Sequence, residues 1–173
     1  TMDVPSYDPI KPTWIGIDMG QTCHVVVGQG DSEENMHIVE FAEVPVKELN
    51  EFVEIRLNRY NVIGGACDRF PYTPNADDLF QLSKGKIVPV EYRGQKTLNL
   101  VKEPLTEEIT HAQMNRTALM DEVARAVRRK WLRFSGYGQQ RSIIVDHLRD
   151  MVRDEQPEKE ATWVKLTGND HYF

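Results

Sequence analysis

The sequence predicts a single α/β domain in which a mixed β-sheet is flanked by helices. Three features near the N-terminus support this class: a pair of β-rich runs, an amphipathic helical segment, and an apolar run without charge. A chain of 173 residues can bury one hydrophobic core of ordinary size. We therefore assign residues 14–173 to one domain and residues 1–13, which are rich in proline, to an extended lead-in.

The first β-rich runs predict an antiparallel arrangement. Residues 14–20 are apolar as far as Asp18, and residues 23–27 follow after a short turn, which is typical of a β-hairpin. Residues 36–44 alternate between apolar and polar side chains and predict a third strand. Residues 46–60 carry apolar side chains at helical spacing, so they are predicted to form a helix that packs on the sheet.

The next segment predicts the centre of the sheet. Residues 62–67 contain no charge before Asp68, which is typical of a strand that is buried on both faces and parallel to a neighbour. Asn75 is predicted to cap a short helix that ends at Gly85. Residues 86–92 are predicted to form another strand.

The second half of the chain predicts a peripheral β-hairpin, two helices and a short final strand. The hairpin strands are separated by a charged turn, and the first helix has its apolar residues on one face. These elements are predicted at residues 96–101 and 109–114 for the hairpin, from residue 115 or 117 to about 131 and at 142–152 for the helices, and at 163–166 for the strand.

Composition excludes several functional classes. The chain is 40% hydrophobic and 28% charged, and no apolar run approaches the roughly 18 residues that a membrane-spanning helix needs. The N-terminus lacks the pattern of a secretory signal. The net charge of −6 argues against a protein that coats nucleic acid through bulk positive charge, although a local basic patch remains compatible with it. Cys23 and Cys67 lie in apolar segments, need no disulfide, and fit a reducing compartment.

Two aspartates share one sequence context. Asp18 and Asp68 each follow an apolar run and precede a turn, so both are predicted at one edge of a shared sheet. Two carboxylates placed there repel each other unless a cation lies between them. Mg²⁺ and Mn²⁺ accept such oxygen ligands, and a pair of these ions suits phosphodiester hydrolysis. Asp170 follows the last predicted strand, and His171 beside it is a candidate further ligand or proton carrier.

These residues resemble the nuclease domain of the large terminase subunit of tailed bacteriophages, which has a ribonuclease H-like fold. Each motif is common alone, and the resemblance depends on their order and spacing along nearly the whole chain. The motifs are Gly16-Ile-Asp-Met-Gly20 around the first acid, Ala66-Cys-Asp-Arg-Phe-Pro71 around the second, Asn115-Arg-Thr-Ala-Leu-Met-Asp121 after the hairpin, His147-Leu-Arg-Asp150, and residues 163–173.

The resemblance implies an activity and a metal. It implies that Asp18, Asp68 and Asp170, with His171 as a further candidate, hold two Mg²⁺ or Mn²⁺ ions. The domain would then cut double-stranded DNA without sequence preference when genome packaging begins and ends. For the third acid a second candidate stays open, because some family members place it three residues after the histidine, which here falls beyond Phe173. We therefore expect the C-terminal end of the domain to be truncated.

The resemblance also implies partners and a location. The partners are double-stranded DNA, a packaging ATPase domain, the portal and the small terminase subunit, and no membrane is involved. The location is the cytoplasm of an infected host or of a bacterium that carries a prophage. No Gly-x-x-x-x-Gly-Lys-Ser/Thr phosphate loop occurs in these 173 residues, so the sequence contains no ATPase motif of that type.

A basic cluster follows the predicted hairpin. Such clustering in an acidic chain can hold a DNA backbone through phosphate contacts that do not depend on base sequence. The alternative is a solvated helix face, since cations near a helix C-terminus are favoured by the helix dipole. The candidate DNA-binding residues are Arg116, Arg125, Arg128, Arg129, Lys130 and Arg133.

Three other functions remain open at this point. Asp18-Met-Gly-Gln-Thr22 also resembles the Asp-x-Gly-x-Thr phosphate loop of actin-like ATPases and sugar kinases. Those proteins enclose their nucleotide between two lobes, whereas this sequence supplies one lobe and leaves Asp68 unexplained. A junction resolvase or a ribonuclease H would share the acids and differ in substrate. A module with the same topology and no activity is the third alternative.

Overall fold

The structure is a computed structural model that describes residues 8–32, 34–93, 98–134, 139–155, 157 and 159–167, with the backbone alone for residues 139–144. The predicted site residues Asp170 and His171 lie outside the described residues. Within the described ranges, no helix is both long enough and apolar enough to cross a membrane.

The described chain contains ten strands and four α-helices. The strands are β1 (Pro12–Asp18), β2 (Thr22–Gly30), β3 (Met36–Pro45), β4 (Asn61–Asp68), β5 (Ile87–Tyr92), β6 (Asn99–Lys102), β7 (Ile109–Met114), β8 (Leu132–Phe134), β9 (Met151–Asp154) and β10 (Thr162–Lys165). The helices are α1 (Leu49–Arg59), which follows a 3₁₀ turn at Val46–Glu48, α2 (Thr73–Leu82), α3 (Arg116–Arg128) and α4 (Gln139–Asp150).

Eight of these strands form one mixed sheet in the order β6-β7-β5-β4-β1-β2-β3-β8. β1, β2 and β3 are antiparallel neighbours, as the hairpin and the alternation predicted. β4 runs parallel to β1 and to β5, so the uncharged run does form the central parallel strand. The predicted hairpin is β6–β7, which continues the sheet at one edge because β7 pairs with β5. The predicted class, a mixed sheet flanked by helices, is confirmed.

The main hydrophobic core lies between this sheet and the helices α1 and α2. Burial alternates along β1, where Ile15 and Ile17 point into the core and Gly16 points to the other face. Full burial of one such aliphatic side chain contributes roughly 1.5–3 kcal/mol. Cys23 and Cys67 are buried with free thiols, as expected. The core also contains Val25, Val27, Val44, Leu49, Val53, Val62, Leu79 and Ile87.

The other face of the sheet is partly covered by α3. Asn115, one of the two predicted starts, caps this helix, and its side chain accepts a hydrogen bond of 2.9 Å from the Ala118 backbone N–H. Asp121 on α3 accepts hydrogen bonds of 2.9 Å from the Trp163 indole N–H and from Arg153 Nε. These contacts attach the two-stranded ribbon β9–β10 to α3.

Two predictions about the middle of the chain were wrong. α2 begins at Thr73, two residues before the predicted cap, and Asn75 lies inside its first turn. The early start is possible because Pro74 occupies a first-turn position, where a missing N–H costs nothing. β4 is not buried on both faces, since Ile63 remains 49% exposed. The absence of charge in this run therefore predicted a burial that Ile63 does not have, although Val62 is only 2% exposed.

Two predictions about the C-terminal part also need correction. The second helix, predicted at residues 142–152, begins at Gln139 and ends at Asp150, and Met151 is instead the first residue of β9. β9 forms because it pairs with β10, a contact between distant residues that helical spacing does not reveal. β8 was not predicted, since its three residues become a strand only by pairing with β3.

Candidate active site

A cleft of about 490 Å³ lies on the sheet face opposite α1 and α2. The ends of β1 and β4 form its floor, and α3 forms one wall. Gly16 contributes to this floor, and a Cβ atom added there would meet nothing within 4 Å. The cleft beside the acids is therefore open down to the backbone. Its lining includes Asp18, His24, Asp68, Tyr92, Arg116, Leu119, Val123 and Lys165.

The two predicted acids meet on this floor. The parallel register of β1 and β4 pairs Gly16 with Ala66 and Ile17 with Cys67, which places Asp18 beside Asp68. Because side chains alternate along a strand, both carboxyl groups point into the cleft while Ile17 and Cys67 point into the core. The two carboxyl groups are hydrogen-bonded to each other.

This proximity changes the chemistry of Asp68. Burial, the hydrogen bond to Asp18 and the charge of Asp18 together raise the pKa of Asp68 from 3.8 to about 7. The Met19 backbone N–H and the Tyr92 hydroxyl donate hydrogen bonds to Asp68 and partly oppose that rise. Below about pH 7, therefore, the pair shares one proton, and this proton removes the repulsion between two carboxylates.

Each acid has a neighbour that the sequence analysis did not predict. His24 lies opposite Asp18 in the β1–β2 register, and its Nδ1 is 3.5 Å from Asp18 Oδ2. The Tyr92 hydroxyl is bonded to Asp68, and burial together with the charge of Asp68 raises the pKa of Tyr92, which keeps it a donor. The sequence analysis predicted the β1–β2 hairpin but not its register, and the register is what places His24 opposite Asp18.

The structure separates the predicted DNA-binding cations. Arg116, at the start of α3, lines the cleft, whereas Arg125 is exposed on the other side of the helix and pairs with Glu122 at 2.9 Å. This follows from the helical period, which turns successive residues by about 100°. Lys165 on β10 also lines the cleft and was not predicted. The remaining cations, all exposed and away from the cleft lining, are Arg128, Arg129, Lys130 and Arg133.

The acid pair fits a divalent cation in its donor chemistry. Mg²⁺ and Mn²⁺ bind carboxylate oxygens, and a cation between Asp18 and Asp68 would replace their shared proton. Within the described part of the chain, no group of three or more His, Cys, Asp or Glu side chains is arranged to hold a metal ion. Asp18 and Asp68 thus supply two acids, and the predicted third, Asp170, lies outside the described residues.

Comparison with known proteins identifies the fold class. No protein-family model and no curated protein matches the sequence. Among solved structures, the chain is similar to the large terminase of a thermophilic bacteriophage, with a TM-score of 0.61 and 13% identity over 96% of this chain. The chain spans 38% of the length of that terminase. The fold is therefore of the ribonuclease H-like class.

A second solved structure matches in size as well. The chain is similar to the large terminase nuclease from the thermophilic phage G20c, with a TM-score of 0.56 and 12% identity. This match covers 96% of this chain and 80% of that one. At such low identity the similarity shows that this chain has the fold of the G20c nuclease, as its motifs suggested.

Proposed function

We propose that this chain is a metal-dependent endonuclease domain that cleaves double-stranded DNA during viral genome packaging. The observation that carries the proposal is the pair of carboxyl groups, Asp18 and Asp68, hydrogen-bonded to each other on the floor of an open cleft. Two acids held in contact are costly to a fold, and groups with such shifted pKa values cluster at functional sites; binding divalent cations is the function that fits the chemistry of this pair. The similarity in fold to large terminases supports the same function.

The roles of the individual residues follow from their positions. Asp18 and Asp68 would hold two Mg²⁺ or Mn²⁺ ions together with Asp170, and His171 is a candidate fourth ligand. When bound, such ions supply an activated water and stabilise the leaving oxygen of a phosphodiester. Asp68 must lose its proton to act as a ligand, and the Tyr92 hydroxyl then donates to its carboxylate and keeps it oriented.

The cleft suggests where a DNA strand would lie. Gly16 leaves room for a sugar-phosphate backbone to approach the acids, and Arg116 and Lys165 can contact its phosphates. The outer cations, Arg125, Arg128, Arg129, Lys130 and Arg133, are proposed as a secondary contact for DNA that passes over α3. The 13 residues of α3 span about 20 Å, close to six base pairs of duplex.

The partners are proposed from the same fold similarity. The first of the two large terminases above, which is much longer than this chain, has been solved in complex with ATP-gamma-S. We propose that a packaging ATPase domain acts with this domain, together with a portal and a small terminase subunit. The proposed location is the cytoplasm of the infected or prophage-bearing bacterium.

A plasmid assay tests the proposal. Supercoiled plasmid is incubated with the protein and Mn²⁺, Mg²⁺ or EDTA, and the wild type is compared with Asp18→Asn and Asp68→Asn. The control is Asp31→Asn, which changes an exposed aspartate in the β2–β3 turn. We expect metal-dependent nicking and linearisation by the wild type and the control, and at least a roughly 100-fold loss in the two site variants.

Other outcomes select the alternatives. Nicking that persists in both Asp18→Asn and Asp68→Asn would contradict the proposal. ATP turnover that depends on Asp18 would favour the actin-like or sugar-kinase function. Faster cleavage of branched DNA or of RNA–DNA hybrids than of plain duplex would instead identify a junction resolvase or a ribonuclease H.

A further inference from the structure

His24, the neighbour of Asp18, lies in a row of polar side chains that crosses the sheet. His24 lies on β2 directly opposite Asp18, and Glu43 on β3 lies directly opposite His24. Asp68 on β4 lies on the far side of Asp18. Four adjacent strands therefore place Glu43, His24, Asp18 and Asp68 in one continuous row on the cleft face of the sheet.

The imidazole of His24 is held between two carboxylates. Its Nδ1 is buried and 3.5 Å from Asp18 Oδ2, and its Nε2 is 3.9 Å from Glu43 Oε1. The His24 side chain is only 11% exposed, whereas that of Glu43 is 59% exposed. The contact with Asp18 is thus the shorter of the two, and Asp18, whose side chain is 36% exposed, is the less exposed of the two carboxylates.

The ring of His147 on α4 lies near the ring of His24. The ring of His147 on α4 lies with its centroid 6.5 Å from that of His24, and the two planes are tilted by 59°. His24 therefore has the sheet on one side and the ring of His147 on the other. The His24 ring thus lies between His147 and Asp18, with its Nδ1 directed to the Asp18 carboxylate at 3.5 Å.

We propose that His24 is a positioning residue that orients the Asp18 carboxylate and thereby sets the affinity of the acid pair for divalent cations. This inference rests on the proposed function. Carboxylates that bind metals are generally hydrogen-bonded by an outer group, and loss of that group typically weakens metal binding about 10- to 100-fold. His24 would orient Asp18 from a contact of 3.5 Å, and Tyr92 orients Asp68 through a hydrogen bond, so each acid would have one positioning partner.

Two conservative variants of the full chain separate positioning from packing. The side-chain amide of asparagine occupies nearly the place of the imidazole Nδ1, and that of glutamine occupies the place of Nε2. His24→Asn therefore keeps a donor toward Asp18, whereas His24→Gln moves the donor toward Glu43. His37→Gln is the matched control, since His37 lies on β3 near the opposite end of the sheet, where it pairs with Gln29.

The affinity for Mn²⁺ alone is measured by isothermal titration calorimetry, without DNA. We expect His24→Gln to weaken Mn²⁺ binding by about tenfold or more, and His24→Asn and His37→Gln to stay within about threefold of the wild type. Thermal unfolding in EDTA checks that all three variants are folded. Wild-type affinity in His24→Gln, or an equal loss in His24→Asn and His24→Gln, would overturn the positioning role.

The same titration distinguishes this inference from the proposed function. Asp18→Asn and Asp68→Asn are included as reference variants. If they lose Mn²⁺ while His24→Gln keeps it, only the role of His24 is wrong. If both keep Mn²⁺, the acid pair is not the metal site and the proposed function itself is contradicted.

Discussion

At the scale of single residues, the main feature is a pair of carboxyl groups that the fold forces together. Asp18 and Asp68 end neighbouring parallel strands and face the same cleft, and their closeness raises the pKa of Asp68 to about 7. The sequence predicted that these acids share a sheet edge, because each follows an apolar run. It did not predict His24 or Tyr92, since their contacts depend on strand register and not on any motif.

The first prediction concerns pH and stability without metal. Asp68 binds its proton more tightly in the folded protein, with a pKa near 7, than in the unfolded chain, where 3.8 applies. Stability should therefore fall as pH rises from about 4 to about 7, because the unfolded state binds fewer protons there. Between about pH 5 and about pH 8 we expect the wild type to lose roughly 2–4 kcal/mol relative to Asp68→Asn.

Urea unfolding in EDTA at several pH values measures this difference. The Asp68→Asn variant is the reference for the wild type, because it removes one titrating group and leaves the other carboxyl groups in place. A difference between the two proteins that stays constant across this pH range would show that Asp68 titrates normally.

At the scale of secondary-structure elements, α3 forms one wall of the cleft, and the β9–β10 ribbon reaches the cleft through Lys165. α3 turns Arg116 toward the acids and Arg125 away from them, although the sequence grouped both in one basic cluster. The ribbon brings Lys165 to the same cleft and is attached to α3 through Asp121. The sequence predicted β10 but not β9, since β9 becomes a strand through pairing with β10.

The second prediction tests which side of α3 contacts DNA. Arg116→Gln should weaken duplex binding about three- to tenfold and reduce the slope of log affinity against log salt by about 1, because one phosphate contact is lost. Arg125→Gln removes the same charge from the outer side, where Glu122 already pairs with it, and should change affinity less than about twofold. Fluorescence anisotropy of a labelled duplex at several salt concentrations measures both. Equal effects of the two variants would contradict the assignment of Arg116 to the DNA path.

The third prediction concerns the attachment of the ribbon. Trp163→Phe keeps an aromatic ring but removes the N–H that donates to Asp121 at 2.9 Å, so it should destabilise the protein by about 1 kcal/mol. Hydrogen exchange of the β9 and β10 amides should become faster. Trp131→Phe, the same change next to β8, should leave ribbon exchange as it is in the wild type. If the β9 and β10 amides of Trp163→Phe exchange at the wild-type rate, the hydrogen bond between the indole and Asp121 does not attach the ribbon to α3.

At the scale of the whole molecule, the sequence predicts the central sheet better than its edges. β1 to β4 were predictable because apolar alternation and the absence of charge are local features. β8 and the start of α2 were not, since pairing with β3 and a proline in the first helical turn decide them. The fold resembles that of large terminases at 12% to 13% identity, which does not establish the function. The function therefore has to be tested by experiments on the acid pair.

Proton release on metal binding tests the central claim most directly. Mn²⁺ is titrated calorimetrically near pH 6 in buffers of different ionisation enthalpy, with the wild type and Asp68→Asn in parallel. Because the Asp18–Asp68 pair holds a proton at that pH, we predict that Mn²⁺ binding releases about one proton in the wild type, and that the variant binds Mn²⁺ weakly with no such release. Tight Mn²⁺ binding without proton release, or with equal release in both proteins, would contradict the assignment of this pair as the metal site.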